Sequence, residues 1–511
     1  MLMLYLTNAW KLKFTDAAAI VNVFAGVSAV GHLVMQFLVD AYLGHFWMLF
    51  LSTIALSLGF GFLSVSASPI FSSGSVFCNA IESGCIGEGQ RLLFYTALAV
   101  ISIGIFGHSI SLGAFTEDQI EENAKRDDPA MLIGFVIGNV GNFIFPLLAA
   151  VAIPQINPWF VRFVIPAGCE VVAMLVFLSG FCSYKKEKPE GSPLTTIFRV
   201  FVASGFKISC RNPNNPAQLY EQPELDPDLK PHTSGFRCLD RAAMILPSEP
   251  LEQQRKNRWT LCRVTEVEET KSVMHTVPLF TTSIISGVVF SLGNTFFLEQ
   301  ANHMDTKIGS WNLPLPLLLL FSEAARLGSR ELCLRASKRH GMTKSPHGIP
   351  VSIILSIFCC LIAGHVEARR LRVTKTRGFL SETAVPMSVL WLLPQYILLG
   401  SITGIYENSF ALHLEETVPE QMSRYMVLLN VGVCGVGMTS SIVLVRVLSR
   451  VSGGKWFQDT IDKSRLDNYY WVLTMLSLIN LILYFAVTFR LSARCSKNDG
   501  ETDRYARGND Q

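Results

Sequence analysis

The chain has 511 residues, of which 50% are hydrophobic and 16% are charged, and its mean hydropathy is +0.36. Soluble proteins carry about a quarter charged residues, so a string of soluble domains is excluded. The net charge of +3 is too small for a nucleic-acid-binding surface, and no Lys/Arg run with interleaved aromatic residues occurs. Long uncharged segments alternate with polar ones, which predicts a polytopic helical membrane protein.

One long polar stretch, 183–273, separates two hydrophobic parts of the chain. Each part has room for about six apolar segments of ~20 residues, the length of a membrane crossing. Two six-helix halves around a central loop are typical of a major-facilitator transporter, in which the substrate binds between the halves. We therefore predict an all-α membrane protein with an N-terminal half (1–182), a cytosolic central loop (183–273), a C-terminal half (274–491) and a cytosolic tail (492–511).

The first half starts with an apolar segment of only seven residues, Met1–Thr7, which we interpret as an incomplete first helix. Five further spans follow. In chain order they are predicted at about 19–39, 47–67, 92–115, 131–153 and 162–182.

The second and third spans are joined by the short polar segment 40–45. It fits the D-x-x-x-G-[R/K/H] pattern of the major-facilitator loop between helices 2 and 3, with Asp40, Gly44 and His45 at the key positions. A carboxylate and a basic group there can bond helix ends, and glycine allows a sharp turn. We predict a tight gating turn.

Several polar side chains fall inside predicted spans, where they must face protein or a water-filled cavity. Asn139 and Asn142 lie in the fifth span and are candidates for the substrate cavity, with an interhelical hydrogen bond as the alternative for Asn142. Glu170 lies in the sixth span and is a candidate proton-relay residue.

The second half carries six spans, among them one with Glu323 and Arg326 three residues apart on one helical face. Their spacing favours a local ion pair, and a proton relay is the alternative. The spans are predicted at about 275–298, 313–332, 349–365, 385–412, 425–448 and 469–491.

Cysteine spacing excludes a zinc site, because no CxxC pair and no Cys/His ligand pattern occurs among the twelve cysteines. Cys78 and Cys85 share a polar loop on the predicted non-cytosolic side, which makes them the candidates for a disulfide. No nucleophile–base or metal constellation is present. We therefore predict no enzymatic activity, no metal and no cofactor.

Orientation follows from Lys and Arg in short loops, which place the loop after span 8 and the ends of spans 6 and 12 in the cytosol. The loop after span 9 departs from this rule. It carries Arg369, Arg370, Arg372, Lys375 and Arg377 on the side predicted to be outside.

Longer phrases of the chain resemble the plant nitrate/peptide transporter family, a branch of the proton-dependent oligopeptide transporters within the major facilitator superfamily. The resemblance runs through most of the chain in family order. Its phrases are YLTN (5–8), FLVDAYLGHFW (37–47), AFTEDQIEENAK (114–125), GNVG (138–141), FVIPAG (163–168), EKPEGSPLTTIFRVFVAS (187–204), TFFLEQANHMD (295–305), WLLPQYILLG (391–400) and VPEQM (418–422).

The resemblance implies twelve helices and proton-coupled uptake (symport) of nitrate, small peptides or other small organic solutes. Implied partners are a small-molecule or anionic substrate, protons and the lipid bilayer. The membrane is the plasma or the vacuolar membrane, and the oligomeric state is open.

Several charged positions of the family are uncharged here. The helix 1 ExxER motif would precede YLTN, and the helix 4 lysine falls at Ser109. The helix 7 position falls at Phe290 and Ser291, and the helix 10 glutamate falls at Thr403. Phe290, Ser291 and Thr403 are candidates for the cavity.

Asn139 does match the family's cavity-lining Asn-x-Gly. Glu407, one turn beyond Thr403, is the candidate substitute acid for cavity and proton relay, with an interhelical bond as the alternative. The competing hypothesis is a divergent or truncated member that is uncoupled, transport-defective or regulatory.

Overall fold

The computed structural model describes residues 1–68, 87–124, 138, 141, 144–186, 189, 191–210, 219–220, 233, 235–246, 250–340, 348–377 and 385–508. The chain forms two compact units. The larger unit comprises Met1–Pro189, Ser283–Phe410 and Leu428–Leu481, and the smaller comprises Glu190–Thr282, Ala411–Val427 and Ile482–Gln511. Residues of both predicted hydrophobic halves thus belong to the larger unit.

The described part of the first half is mostly helical, and its long helices are apolar on most faces, as expected in lipid. Cys78, Cys85, Asn139 and Asn142 lie outside the described residues. The helices are α1 (Leu2–Asn8), α2 (Phe14–Leu38), α3 (Gly44–Ser66), α4 (Glu88–Ala124), α5 (Ile144–Gln155) and α6 (Trp159–Ser179).

The turn between α2 and α3 is a single π-helical turn, Val39–Leu43, rather than an open loop. Gly44 closes it with a φ of +69°, a backbone conformation that residues with a Cβ rarely adopt. Asp40 accepts a hydrogen bond from Gln36 Nε2 at 2.8 Å, and His45 lies in the first turn of α3. The tight turn predicted from the glycine is present.

The central loop forms much of the smaller unit, through α7 (Pro193–Phe206), α8 (Leu251–Lys256) and α9 (Val264–Thr276). The N-terminus of α7 is fixed by Ser192, whose Oγ accepts from Leu194 N at 3.3 Å, and by proline at the first helical position. The apolar core of the smaller unit comprises Val200, Ala203, Leu219, Leu239, Ala242, Ala243, Cys262, Val264 and Val267.

A buried lysine anchors α9 within this unit. Lys271 is 1% exposed, and its Nζ lies 2.6 Å from Asp240 Oδ1 and 2.7 Å from Glu268 Oε1. It also donates to Thr233 O at 2.9 Å. The two carboxylates and the carbonyl use all three N–H groups of the ammonium.

Replacing Lys271 with Met should destabilise the smaller unit by about 3–5 kcal/mol, because Asp240 and Glu268 would remain buried without their cation. Faster cleavage of the central loop in limited proteolysis would report this loss. The control is Lys256→Met, at an exposed position in α8, which should leave the cleavage rate unchanged.

Seven α-helices follow in the part of the second half that the structure describes. They are α10 (Phe280–Phe290), α11 (Phe296–Asn302), α12 (Pro316–His340), α13 (Gly348–Arg377), α14 (Leu393–Thr417), α15 (Glu420–Val451) and α16 (Leu466–Gly508).

The predicted seventh span, 275–298, is not one helix. It is interrupted between α10 and α11 at 291–295, and side chains satisfy carbonyls that the break frees. Thr295 Oγ1 donates to Ser291 O at 2.6 Å, and Tyr396 OH donates to Gly293 O at 3.2 Å. Apolar periodicity alone did not predict the interruption.

The predicted tenth span, 385–412, also begins differently. Its first four residues form strand β4 (Val385–Ser388), which pairs in parallel with β1 (Met304–Asp305). A second pair, β2 (Lys307–Ile308) and β3 (Trp311–Asn312), is antiparallel. The predicted helical start at 385 was therefore wrong, because Val385 donates its N–H to His303 O at 3.0 Å instead.

Two glycines let α14 lie directly against α12. A Cβ on Gly400 would overlap Ser322 O, and one on Gly404 would overlap Arg326 O. The Gly-x-x-x-Gly spacing places both on one face of α14, and small residues at this spacing allow helix backbones to approach closely.

Gly404→Ala should cost about 1–3 kcal/mol, because the added methyl group forces α12 and α14 apart. The melting temperature of the purified protein measures the effect. Gly328, on α12, has open space where its Cβ would be. Gly328→Ala should therefore leave the melting temperature unchanged or raise it, and equal losses in both variants would contradict the packing argument.

Candidate substrate cavity

A cavity of about 430 Å³ lies within the larger unit. This volume falls in the range of small-molecule sites. Residues of both hydrophobic halves line it. Ala29 belongs to α2 in the first half, and the other lining residues, from Phe290 to Met438, belong to the second half. The lining residues are Ala29, Phe290, Gly293, Asn294, Leu319, Leu320, Ser322, Glu323, Arg326, Leu399, Gly400, Thr403, Tyr406, Glu407, Asn430, Val431, Cys434 and Met438.

Three charged side chains of this lining form one cluster: Glu323, Arg326 and Glu407. We call Glu323 and Glu407 the acid pair, and Arg326 bridges their two carboxylates. Arg326 Nη2 lies 2.5 Å from Glu323 Oε1, and its Nε is 3.0–3.1 Å from both Glu323 oxygens. Its Nη1 donates to Glu407 Oε2 at 2.9 Å. The close approach of α14 at Gly404 allows this contact between helices.

The structure brings together four of the residues singled out in the sequence. Phe290, Thr403, Glu407 and Glu323 all line the cavity. The ion pair predicted for Glu323 and Arg326 is present, and the interhelical bond considered for Glu407 is present as well.

Two other candidates lie elsewhere. Ser291 is buried and donates to Val288 O at 2.8 Å, without lining the cavity. Glu170 is half-buried on α6 and is not among the cavity residues. The predicted relay residues Glu323 and Glu407 are thus neighbours, and Glu170 is not part of their cluster.

A neutral polar network on the cavity wall had not been predicted. Tyr406 OH donates to Ser283 Oγ at 2.5 Å, and Ser283 Oγ donates to Asn430 Oδ1 at 2.6 Å. Tyr406 and Asn430 both line the cavity. The available signal was polar residues within the predicted spans 7, 10 and 11, which must find partners in a membrane.

A histidine on α2 was also not identified as a candidate from the sequence. His32 Nδ1 lies 2.6 Å from Ser28 O, and its Nε2 lies 2.8 Å from Ser109 Oγ. A carbonyl accepts only from N–H, so Nδ1 carries the hydrogen, and in the neutral ring Nε2 accepts from the Ser109 hydroxyl. Ser109, at the position where the resemblance puts a lysine, therefore contacts an ionisable side chain, His32. His32 lies inside the predicted span 19–39, which was the signal.

Polar bonds join the two halves at the end predicted to be outside, in a set that we call the polar clasp. Thr7 Oγ1 donates to Glu299 Oε2 at 3.1 Å. The side-chain amides of Asn8 and Asn302 donate to each other at 3.3 and 3.0 Å. Lys13 Nζ lies 2.6 Å from Asp459 Oδ1, with both side chains largely exposed. These contacts hold the start of the first half against α11 and the segment before α16.

His303 lies next to the clasp, between two carboxylates. Its Nε2 is 3.2 Å from Glu299 Oε1 and its Nδ1 is 3.1 Å from Asp462 Oδ2. Burial lowers the pKa of His303, but hydrogen bonds and charge interactions with Asp462 and Glu299 outweigh it and raise the pKa to about 9. For Asp462, burial raises the pKa, and His303 and Arg370 together lower it to about 2.

Arg370 explains part of the departure from the positive-inside rule. It is fully buried, and its Nε and Nη2 lie 2.8 and 2.9 Å from the Glu367 carboxylate. It also pairs with Asp462. Arg369 stacks over the Trp391 ring, 4.1 Å from its centroid. The charge of Arg370 is thus paired inside the protein, and Arg370 does not count as a loop cation in the positive-inside rule.

The stability of the protein should fall as pH rises from about 6.5 to about 9. Below pH 6.5, the ordinary pKa of His303, its ring is charged in both the folded and the unfolded chain, and its full stabilisation is present. The folded state loses that stabilisation as pH rises through about 9. The melting temperature should therefore drop by about 2–4 °C across this interval.

His303→Gln should flatten this pH dependence, because the carboxylates then face an uncharged side chain. His365→Gln is the control, since His365 is exposed and its ring contacts Trp471. A decline of the same size in wild type and His303→Gln would contradict the assignment.

Comparison with known proteins identifies the family. Residues 46–455 match the sequence model of the POT family. The chain belongs to the POT family. It is 71% identical to Protein NRT1/PTR FAMILY 5.5 of Arabidopsis thaliana over 515 residues, covering 99% of this chain and 96% of that protein. It is 28% identical to Protein NRT1/PTR FAMILY 8.1 of the same plant, covering 95% and 89%.

Solved POT family structures share the fold. The in meso crystal structure of the POT family transporter PepTSo matches with a TM-score of 0.60 at 16% identity, covering 94% of this chain and 90% of that one. A POT family transporter in complex with 5-aminolevulinic acid matches with a TM-score of 0.61 at 11% identity, covering 96% and 92%.

These matches confirm the resemblance read from the sequence and the major-facilitator fold. Eight apolar helical segments among the described residues are long enough to cross a membrane, the first of them containing both α2 and α3. The protein is a multi-pass membrane protein, and as a POT family member it is a transporter of a small solute.

Proposed function

We propose that this POT family protein binds its solute in the cavity beside the acid pair and that proton movement is linked to transport through Glu407. The observation that carries the proposal is the position of Glu407. It lines the cavity one turn beyond Thr403, where the resemblance puts the family's helix 10 glutamate, and it pairs with Arg326 on the neighbouring helix.

Protonation of Glu407 would change the contact between two helices. The charged carboxylate holds Arg326 Nη1 at 2.9 Å, and Glu323 holds the other edge of the guanidinium. A neutral Glu407 gives up the ionic part of its bond, and Arg326 then remains with Glu323 alone. The link between α12 and α14 would therefore weaken whenever a proton binds.

The polar clasp supports alternating access between the two halves. Solute that reaches the cavity from the outside requires the halves to part at the clasp. Hydrogen bonds of this kind exchange for water at a small net cost, since each contributes about 0.5–1.5 kcal/mol. Such a contact can open and close during a transport cycle.

An uncoupled family member is the alternative. Ser109 and Thr403 are uncharged where the resemblance places charged residues, and this observation favours a facilitator or a transport-defective protein. We propose coupling instead, because Glu407 restores a carboxylate to the same face of the same helix. We propose transport as the function of this protein and propose no enzymatic activity for it.

Glu407→Gln should remove the pH dependence of uptake. In oocytes expressing the full chain, wild-type uptake should change by about fivefold or more between acidic and neutral medium, and that of Glu407→Gln should stay constant. The panel of probes is isotope-labelled nitrate, diglycine, 5-aminolevulinic acid and tyramine.

Glu331→Gln is the control, because Glu331 lies on α12, the helix that carries Arg326, and is exposed. It pairs with Arg335 at 2.7 Å and does not line the cavity. The variant should behave as wild type. An unchanged pH dependence in Glu407→Gln would refute the coupling role, and absence of uptake and current for every probe would refute transport.

A further inference from the structure

A second concave surface, which we call the apolar groove, lies between α2 and α4 and is separate from the candidate substrate cavity. Its volume is about 350 Å³, and it shares no lining residue with that cavity. On α2, Val27 of the groove precedes Ala29 of the cavity by two residues, which is about 200° around the helix. The groove is therefore on the other side of α2. Its lining residues are Ala19, Ile20, Val23, Phe24, Val27, Tyr95, Leu98, Ala99 and Ser102.

The apolar groove is open to the surroundings of the helix pair. Both α2 and α4 belong to segments that are long and apolar enough to cross a membrane. In the described part of the chain, Val23, Val27 and Tyr95 are 46%, 52% and 49% exposed. Exposed apolar side chains of a membrane-spanning helix lie in the hydrocarbon core of the bilayer. The groove thus has the position and the composition to hold an acyl chain.

A pocket of about 470 Å³ continues the groove at the end predicted to be outside, and we call it the head-group pocket. Groove and pocket share Ala19, Ile20 and Tyr95. Trp and Tyr are typical of the membrane interface, where an apolar ring and a polar tip are both accommodated. The pocket is lined by Trp10, Leu12, Asp16, Ala19, Ile20, Arg91, Tyr95 and Arg446.

The head-group pocket has a surplus of positive charge. Among the residues that the structure describes, its charged lining residues are Arg91, Arg446 and Asp16. Two guanidinium groups outweigh one carboxylate when all three are ionised. Lys13 lies in the adjoining cavity, and its charge is balanced by Asp459 at 2.6 Å. Guanidinium groups bind phosphate oxygens through pairs of N–H donors, so the pocket fits an anionic phosphate group.

We propose that Arg91 and Arg446 hold the phosphate of an anionic phospholipid and that an acyl chain of this lipid lies in the apolar groove. Arg91 belongs to α4 in the first half, and Arg446 belongs to α15 in the second half. One head group therefore bridges the two halves and adds ionic contacts at the end where the polar clasp joins them. The site does not depend on which solute the cavity binds.

Two lipids with the same acyl chains test the preference for an anionic head group. Dioleoyl phosphatidylglycerol has one net negative charge, and dioleoyl phosphatidylcholine has none. Each is added to the purified full chain in detergent micelles, and the melting temperature should rise as lipid binds the folded protein. The half-saturating concentration should be about tenfold lower for phosphatidylglycerol. Glycerol phosphate, which has no acyl chains, should leave the melting temperature unchanged at the same concentrations.

Substitutions in the head-group pocket test the role of the arginines. Arg446→Gln or Arg91→Gln should bring the two half-saturating concentrations to within about twofold of each other. Arg446→Lys should keep most of the preference, because it keeps the charge. Arg450→Gln is the matched control, since Arg450 lies one turn further along α15, is exposed and lines neither the pocket nor the groove. It should bind both lipids as wild type does.

A substitution in the apolar groove tests the acyl chain. Ala99→Trp should weaken the binding of both lipids by about fivefold or more, because the indole ring occupies the groove. Leu92→Trp is the control, at an exposed position of α4 outside both linings. The melting temperature of each variant without lipid shows that it is folded.

Three results would overturn the proposal. They are equal half-saturating concentrations of the two lipids in wild type, a preference that survives in both Arg446→Gln and Arg91→Gln, and unweakened binding in Ala99→Trp. A rise of the melting temperature with glycerol phosphate as large as with phosphatidylglycerol would also contradict it, because the pocket would then bind a soluble phosphate without a lipid.

Discussion

The approach of α14 to α12 at Gly404 is the contact on which the candidate site depends. Without a side chain at this position, the two backbones come close enough for Arg326 to reach Glu407. The same approach places Thr403 and Glu407 in the wall of the cavity that Phe290 also lines. A packing feature of a membrane helix pair therefore determines which charges meet, and the chemistry of the cavity follows from that packing.

A second set of charges holds another part of the larger unit together. Arg370 is buried between Glu367 and Asp462, Gln300 donates to Glu367 at 2.6 Å, and Asp462 also contacts His303. Buried charges are tolerated only when they are paired and hydrogen-bonded, and each member here has such a partner. The cavity cluster differs in this respect, because among the described residues only one oxygen of Glu407 accepts a hydrogen bond.

The sequence predicted the helices of the larger unit well because membrane helices carry long apolar segments that few other structures require. Gly44 identified a sharp turn, and Glu407 was found from its helical spacing to Thr403. The break at 291–295 was missed, because its carbonyls are satisfied by Thr295 and Tyr396, and the latter is distant in sequence. The strand at Val385 was missed for the same reason, since its partner lies some eighty residues earlier (at Met304).

The central loop shows a different limit of sequence reasoning. Taken alone, the apolar residues Ile197, Val200 and Phe201 of α7 would equally fit a helix that lies on the membrane surface. Ile197 and Val200 are instead buried, Val200 in the core of the smaller unit, and Phe201 is 42% exposed because it lies about 100° around the helix from Val200. An apolar face predicts burial, but it does not specify whether lipid or protein covers it.

The polar clasp has a consequence for the populations of the conformational states. Its members are neutral amides, a hydroxyl, one carboxylate held by His303 and one exposed ion pair, Lys13 with Asp459. Water can replace most of these bonds at little cost, so closure at this end lowers the free energy only slightly. Two states that differ by a few kcal/mol or less are both populated. Under the alternating access proposed above, a weak closing contact would allow the protein to change state without a large input of binding energy from its solute.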